Sequence, residues 1–529
     1  MKRSSEPAAW AWLGLAALLT LAGCAPTLRL DTARPPSEAV SRDAPSALRH
    51  ALAAHLAPGQ SGFHLLADGN AALAARLTLA QQATRTLDVQ YYLFHNDDSG
   101  RLFAATLFAA AERGVRVRLL VDDIDTADKE LGLATLNAHP NIEVRLFNPF
   151  RTRSTHFAVR GWQALRERVR LNRRMHNKAF IADNQIAIAG GRNIGDEYFD
   201  AHHDFSFIDL DVIAAGEIVG DVSRSFDRYW NSIAAVPATG LPAHWGERRL
   251  ARTALRLQQF RAEVLAGPRG RVLAAADPVP ALLSGVTPWH IADAHVLADP
   301  PEKVLVRNKP ASTLLLGQLA GLNIQPARRA LIVSPYFVPG TAGMAYLEYW
   351  RGRGVEVDVL TNAYAASDVP IVHVGYTAYR MRLLEAGVNL YELKPIAETS
   401  SPRLREVGSA SSRASLHAKA FVFDDRQVFI GSFNFDPRST RLNTEIGLVI
   451  DSPTLAAEVT AIAEGAMRPE RSYQPRLVQM RNGPVVDRWL VWHDVHAGQP
   501  RVHDSEPELS LFHSGLLRLL QALPLEEHL

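Results

Sequence analysis

Two α/β domains of one design, each a mostly parallel mixed sheet flanked by helices, are what this sequence predicts, and three observations predict them. The chain has 529 residues, more than a single hydrophobic core can use. Its halves repeat one strand, helix, strand pattern. Each half then carries an apolar hairpin that begins with a His and a Lys two residues apart, and the two histidines, His176 and His417, stand 241 positions apart. Composition is that of a globular protein, 47% hydrophobic and 21% charged, and a net charge of +2 announces no global field toward nucleic acid or membrane. Any electrostatic message is local.

In chain order, residues 1–23 read as an export signal: Lys2 and Arg3, an apolar run from Ala8 to Ala22 too short to span a bilayer, then small residues before Cys24. "LAGC", ending at Cys24, has the form of a bacterial lipoprotein box, and Cys24 is the only cysteine. The expectation is a protein anchored through lipid on Cys24 and facing the periplasm, from either the inner or the outer membrane, with no disulfide inside the chain. Acyl chains there contribute about 0.8 kcal/mol of membrane affinity per buried methylene. Residues 24–60, rich in Pro, Ala, Ser and Arg, read as a tether with a short helix; 61–235 form the first domain. Residues 236–328 read as a bridge of Pro-rich turns with one helix, "ERRLARTALRLQQFRAEVLAG", and 329–470 form the second domain, introduced by "VLADPPEK". Residues 471–529 read as a small strand appendage and an amphipathic C-terminal helix with Phe512, Leu516, Leu519 and Leu523 at helical spacing.

The duplication is direct. "RTLDVQYYLFHNDDSGRLFAATLFAAAERGVRVRLLVDD" from Arg85 aligns with "RALIVSPYFVPGTAGMAYLEYWRGRGVEVDVLTN" from Arg329, each a β-branched run, an amphipathic helix ending at Arg-Gly, and a second strand. That is a βαβ unit, which makes parallel neighbours. The hairpins follow in "RMHNKAFIADNQIAIAGGRNIGD" and "SLHAKAFVFDDRQVFIGSFNFDP". Folding the first about Asn184 sets His176 opposite Arg192 and Lys178 opposite Gly190. Folding the second about Asp425 sets His417 opposite Phe433. Residues i and i+2 of a strand share a face, so each half offers His, Lys and Asn (Asn193, Asn434) from one rigid support. His, Lys, Asp, Gly and Asn recur at offsets 0, +2, +7, +14 and +17 in both copies, which a solvated sheet edge does not demand.

These residue types suit attack on a phosphodiester. Neutral imidazole is a competent nucleophile near neutral pH, and Lys178, Lys419, Asn193 and Asn434 can neutralise and hydrogen-bond non-bridging oxygens as charge develops. If the two halves face each other, one His attacks phosphorus while the other, protonated, protonates the leaving oxygen. No metal is called for, since the Lys beside each His repels a cation. Asp183 and Asp424 fall at the far turn, more than about 20 Å along the strand from the histidines, and read as turn-formers. Each imidazole needs a partner to fix its tautomer. Asp209 and Glu445, at corresponding positions where the next strands begin, are the candidates, with Asp211 as the alternative in the first half.

Paired HxKxxxxD motifs of this kind resemble those of the phospholipase D superfamily. The wording "LDVQYYLF", "GVRVRLLVDD", "LNRRMHNK", "GGRNIGDEYF", "ASDVPIVHVGY" and "GSFNFDPRSTRLNTE" is similar to bacterial cardiolipin synthases of the C-type branch. The resemblance implies facing α/β halves and a phosphohistidine intermediate, with family residues at His176, Lys178, Asn193, His417, Lys419, Ser432 and Asn434. It implies His176 as nucleophile and His417 as general acid and then base. Ser432 supplies a hydroxyl where the first copy has Gly191, and both are expected against substrate. So are Arg173 and Arg174, which end the segment Arg151 to Arg174, with eight Arg against one Glu and interleaved Phe157 and Trp162, suited to phosphate headgroups at an anionic leaflet. The implied reaction is phosphatidyl transfer from one phospholipid to a hydroxyl of another, giving cardiolipin. With water as acceptor the same site is a phospholipase D, and a phosphodiesterase or nuclease is the weaker alternative. The implied partners are phospholipids and a membrane surface, with no nucleic acid and no cofactor. The chain is expected to act as a monomer, and its motifs neither call for nor exclude an auxiliary protein.

Overall fold

The computed structural model describes residues 27–509, apart from 154–160, 162–165, 203–204, 242–244, 307–308, 396–413 and 483–484. The export signal, Cys24 and the expected C-terminal helix lie outside the described residues, as do Phe157 and Trp162. Among the described residues no helix is long and apolar enough to cross a membrane.

The first half contributes β1 (Ser61–Leu66), β2 (Thr86–Tyr91), β3 (Arg116–Asp122), β4 (Ile142–Phe147), β5 (Ala179–Ala182), β6 (Ile186–Gly190), β7 (Ser206–Ile208), β8 (Asp211–Gly216), β9 (Ala235–Pro237) and β10 (His290–Ile291). The second contributes β11 (Ala294–Ala298), β12 (Arg329–Val333), β13 (Glu356–Asn362), β14 (Asn389–Leu393), β15 (Ala414–Leu416), β16 (Ala420–Phe423), β17 (Gln427–Gly431), β18 (Ile446–Asp451), β19 (Ser472–Asn482), β20 (Val485–His496) and β21 (Gln499–His503). Nine strands form one sheet in the order β10-β1-β8-β6-β5-β2-β3-β4-β9, and ten form the other in the order β11-β18-β17-β16-β12-β13-β14-β19-β20-β21. The run β8-β6-β5-β2-β3-β4 of the first reappears as β18-β17-β16-β12-β13-β14 in the second, which is the duplication in three dimensions.

The expectation of mostly parallel sheets is corrected. Parallel pairing is confined to β2-β3-β4 and β12-β13-β14, the strands joined by helical crossovers. The hairpins close through short turns, which allow only antiparallel pairing, and β8 and β18, which follow after longer connections, also lie antiparallel to β6 and β17. The bridge differs too. Among the described residues it holds four α-helices, Glu247–Ala266, Pro268–Ala276, Val279–Leu283 and Leu315–Gly321, the second and third with Pro in their first turn, which a helix start permits where the sequence read as loop. It also supplies an edge strand to each sheet: β10 pairs with β1 and β11 with β18. The strands after 471 are no separate appendage, since β19 pairs with β14 and extends the second sheet.

The tether is a strap. Buried Arg118 donates to the Ser37 carbonyl at 2.7 Å and buried Arg145 to that of Pro35 at 2.8 Å, while Asn184 and Gln185 bind the carbonyls of Val40 and Arg42. Buried guanidiniums need every acceptor they can find, and the strap supplies main-chain oxygens.

Between the sheets runs one continuous apolar core with members from both halves, including Ala187, Val212 and Ala214 from the first and Val428, Ile430 and Leu448 from the second. Separate cores on the outer faces lie under the crossover helices. The two halves therefore meet over packed side chains, and the polar site occupies one end of that interface.

Both hairpins have the register read from the sequence: Ala182 faces Ile186 about Asn184, and Phe423 faces Gln427 about Asp425. Asp183, Asn184, Asp424 and Asp425 all adopt φ of 53–55°, a left-handed conformation that Asp and Asn tolerate best among residues with a Cβ. The Asp183 carboxylate accepts from the backbone N–H of Thr84, Arg85 and Thr86 at 2.7–3.0 Å. Asp424 does the same for Ala327, Arg328 and Arg329 at 2.8–3.0 Å. Each acid thus nails its turn to the loop that starts the neighbouring strand. Asp183→Asn is expected to lose about 2 kcal/mol in urea unfolding, the worth of weakened bonds to a buried charge, and the more exposed Asp424→Asn to lose less. Turnover per folded molecule stays unchanged in both; a large loss of turnover at full stability would contradict this role.

Candidate active site

The hairpins bring each His to the boundary between the halves, and there each is tied twice to the opposite half. The backbone N–H of His176 donates to the Thr444 carbonyl at 2.9 Å, and its Nδ1 lies 2.8 Å from Glu445 Oε2. The backbone N–H of His417 donates to Ile208 at 2.8 Å, where β7 and β15 form a short parallel pair, and its Nδ1 lies 2.6 Å from Asp209 Oδ2. The sequence identifies both carboxylates, and the structure crosses them over: each serves the histidine of the other half. Asp211, the alternative, instead forms a buried ion pair with Arg76 at 2.8 Å. With Nδ1 held by a carboxylate, each imidazole presents Nε2 to the site, as a lone pair when the ring is neutral and as an N–H when it is protonated.

Both rings are buried and braced by aromatics that sequence reasoning missed. Tyr92 meets His176 edge-on at 5.0 Å, and Tyr198 and Phe207 contact His417 at 5.2 and 4.8 Å. Tyr92 has a signal in the repeat, since it aligns with Tyr336 in "SPYF". Lys178 and Lys419 each donate Nζ to the carbonyl of their own histidine, and Lys178 Nζ lies 5.2 Å from the Tyr92 ring centre. Asn193 is held between Tyr198 Oη (2.8 Å) and the Leu93 N–H (3.2 Å), while Asn434 Oδ1 is buried with no partner among the described residues.

Four residues expected against substrate are placed otherwise. Ser432, fully buried, donates Oγ to Glu445 Oε2 at 2.5 Å and accepts from the Ile446 N–H at 3.0 Å. A Cβ on Gly191 would fall 2.1 Å from Asp209 Oδ1, so its missing side chain makes room for that carboxylate. Arg173 donates to the carbonyls of Lys303 and Val306. Arg174 donates to those of Leu171 and Asn148 and pairs with Asp122 at 3.2 Å. These are frame contacts under the site. Ser439, unread in the sequence, adds a second hydroxyl to Glu445, Oγ to Oε1 at 2.8 Å.

The two dyads are electrostatically unequal. Burial, then the neighbouring Lys178, Lys419 and His417, pushes His176 well below its ordinary range. Burial and Lys419 also lower His417, but Asp209 and Asp368 pull it back up. Burial drives Glu445 up to about 7 against the pull of Lys178 and two serine hydroxyls. Burial pushes Asp209 up as well, yet His417, Lys419 and Arg192 outweigh it and hold that carboxyl below its ordinary value. Desolvation lowers both lysines, Lys178 the more strongly. An arriving phosphate diester supplies the counter-charge that this pocket lacks.

One group of potential metal ligands comes together among the described residues, His95, Asp97 and Glu197, apart from the dyads. Its members have other bonds: Asp97 caps the helix Asp98–Glu112 and accepts from Asp196, and His95 lies 3.1 Å from Glu197.

Comparison with known proteins agrees with this geometry. A family model described as cardiolipin synthase, phospholipase D-like domain, matches residues 77–230 and 323–467. The chain is 41% identical to cardiolipin synthase C of Escherichia coli (strain K12) over 485 residues, 89% of this chain and 96% of that protein. It is 31% identical to an uncharacterised protein of Helicobacter pylori (strain ATCC 700392 / 26695), over 88% of each. Among solved structures, phosphatidylserine synthase of Haemophilus influenzae Rd KW20 shares the fold, with TM-score 0.53 at 12% identity over 87% of this chain and 91% of that one. Matched in both halves and aligned nearly end to end with such a relative, the chain belongs to the cardiolipin synthase, phospholipase D-like domain family.

Proposed function

We propose that the protein is a phosphatidyltransferase that makes cardiolipin from phosphatidylglycerol and a second phospholipid, with His176 as nucleophile and His417 as acid and base. The crossed pairing of His176 with Glu445 and His417 with Asp209 carries the reading. Of the two imidazoles, His417 holds a proton more readily, since an ionised Asp209 supports it, whereas His176 is pushed harder toward the neutral, nucleophilic form.

In the first step His176 Nε2 attacks phosphorus, the bond from phosphorus to the headgroup oxygen breaks, and His417 passes its proton to that oxygen. Lys178 and Lys419 neutralise the non-bridging oxygens. In the second step neutral His417 takes the proton of the acceptor hydroxyl, whose oxygen displaces His176 from phosphorus. Water in place of that hydroxyl gives phosphatidic acid, so exclusion of water separates transferase from hydrolase.

Detergent-solubilised protein incubated with labelled phosphatidylglycerol, with and without phosphatidylethanolamine, is expected to yield a diphosphatidyl product. Phosphatidic acid alone makes the protein a hydrolase, and turnover of neither lipid sinks both readings. His176→Ala and His417→Ala are each expected to abolish turnover, and a variant slowed by Asp209→Asn is expected to carry the phosphatidyl label on His176 by peptide mass spectrometry; a label on His417 there would reverse the assignment.

The pH profile follows from Glu445. Its carboxylate stabilises the cation that forms on His176, so kcat/KM is expected to follow a bell whose rising limb is set by Glu445, which ionises at about 7, and whose falling limb is set by loss of the His417 proton. Glu445→Gln removes the rising limb along with most of the activity. Asp209→Asn slows the reaction without moving that limb, because Asp209 is already ionised well below that range.

Lipid on Cys24 and a periplasmic location complete the proposal, supported by the box "LAGC" and the apolar run before it. Cells fed labelled palmitate are expected to label the protein, and Cys24→Ser to lose both label and membrane fractionation. Label retained in that variant would refute the anchor.

A further inference from the structure

A cavity of about 1170 Å³ opens between the helix Val219–Trp230 of the first half and the segment from Val296 to Gln318 that leads into the second sheet. No dyad residue lines it. Its apolar wall is Val296, Ala298 and Pro300, and its rim carries Arg228 and Lys309, which have no ion-pair or hydrogen-bond partner among the described residues. The other charges are mostly committed. Asp227 is held by Arg118 at 2.7 Å and by the Ala39 N–H at 3.0 Å, and Asp221 pairs with Arg224. Against the two free cations stands only Glu38 of the strap. Ser225, also lining the cavity, is 1% exposed, and its hydroxyl has no hydrogen-bond partner.

Two uncommitted cations over an apolar wall mark a place for an anionic amphiphile. The volume decides between ligands. A water takes about 30 Å³ of liquid, so this space holds some tens of waters and far exceeds a lone phosphate. We propose that the cavity binds a phospholipid outside the catalytic site, its phosphate on Arg228 and Lys309 and an acyl chain along Val296, Ala298 and Pro300.

Its position links it to the chemistry. Ala298 and Pro300 flank Asp299, whose carboxylate accepts the backbone N–H of Glu445 at 3.0 Å and holds Lys303 at 2.8 Å. The Asp299 carbonyl accepts from Tyr229 Oη at 2.7 Å, and Tyr229 is next in sequence to Arg228. A lipid in the cavity therefore lies against the residues on both sides of Asp299, which seats the His176 partner.

The test uses full-length protein in phosphatidylglycerol vesicles that contain a trace of phosphatidylglycerol with a photoreactive diazirine on one acyl chain. After irradiation, cross-links are expected on peptides covering 219–231 and 294–306, in addition to those near the dyads. Arg228→Gln with Lys309→Gln lowers the cavity cross-links about tenfold, the loss of a charge-assisted hydrogen bond, and leaves those near His176 and His417 intact. Cross-links confined to the dyad peptides in the unaltered protein overturn the site. Equal cavity labelling in the double variant, or its abolition by excess inorganic phosphate, overturns recognition of a lipid phosphate there. Turnover measured on the same samples keeps this outcome separate from the catalytic proposal.

Discussion

The rest of the structure depends on one constraint: the imidazole at the head of each hairpin is held by a carboxylate and a backbone carbonyl that belong to the other half. His176 rests on Thr444 and Glu445, and His417 on Ile208 and Asp209. Neither half has a working dyad alone. The shared apolar core fixes the distance between the halves, and the short β7-β15 pair and the Met175–Thr444 bridge fix their register. A slip of one residue at either bridge would turn the carboxylate away from its histidine.

The polar end of that interface is expensive in the absence of substrate. Two lysines, two imidazoles and two carboxylates are buried within reach of one another, and desolvation dominates the behaviour of most of them. The groups share this burden unequally. Glu445 leans on Ser432 and Ser439, whereas Asp209 fills the space left by Gly191 and relies on His417 and Lys419. Copies that began alike have thus acquired different proton affinities, which is what a reaction needs when one imidazole must attack and the other must protonate.

Much of this was legible in the sequence. Internal repetition yields the two-half plan, and alternation about Asn184 and Asp425 yields the hairpin register, because side-chain direction in a strand is a local property. The positions of Asp209 and Glu445 were legible; their exchange was not, since nothing local says which half a strand-start acid faces. The same limit explains Arg173, Arg174 and Ser432. Their chemistry suits phosphate, but burial, which decides whether a guanidinium or hydroxyl meets ligand or backbone, is a property of the assembled fold. The strap was misread for the converse reason: its composition is that of a linker, and what pins it is the hunger of Arg118 and Arg145 for carbonyl oxygens 81 and 110 residues away.

That strap has a geometric corollary. Thr27 bridges Thr152, and the Leu28 N–H binds the Arg151 carbonyl, so the chain is fastened to the body three residues after Cys24. Three residues span only about 10 Å. If Cys24 carries the lipid proposed above, the start of the Arg-rich segment that leads to His176 is held within about 10 Å of that anchor, and the tether gives the body no long leash from it.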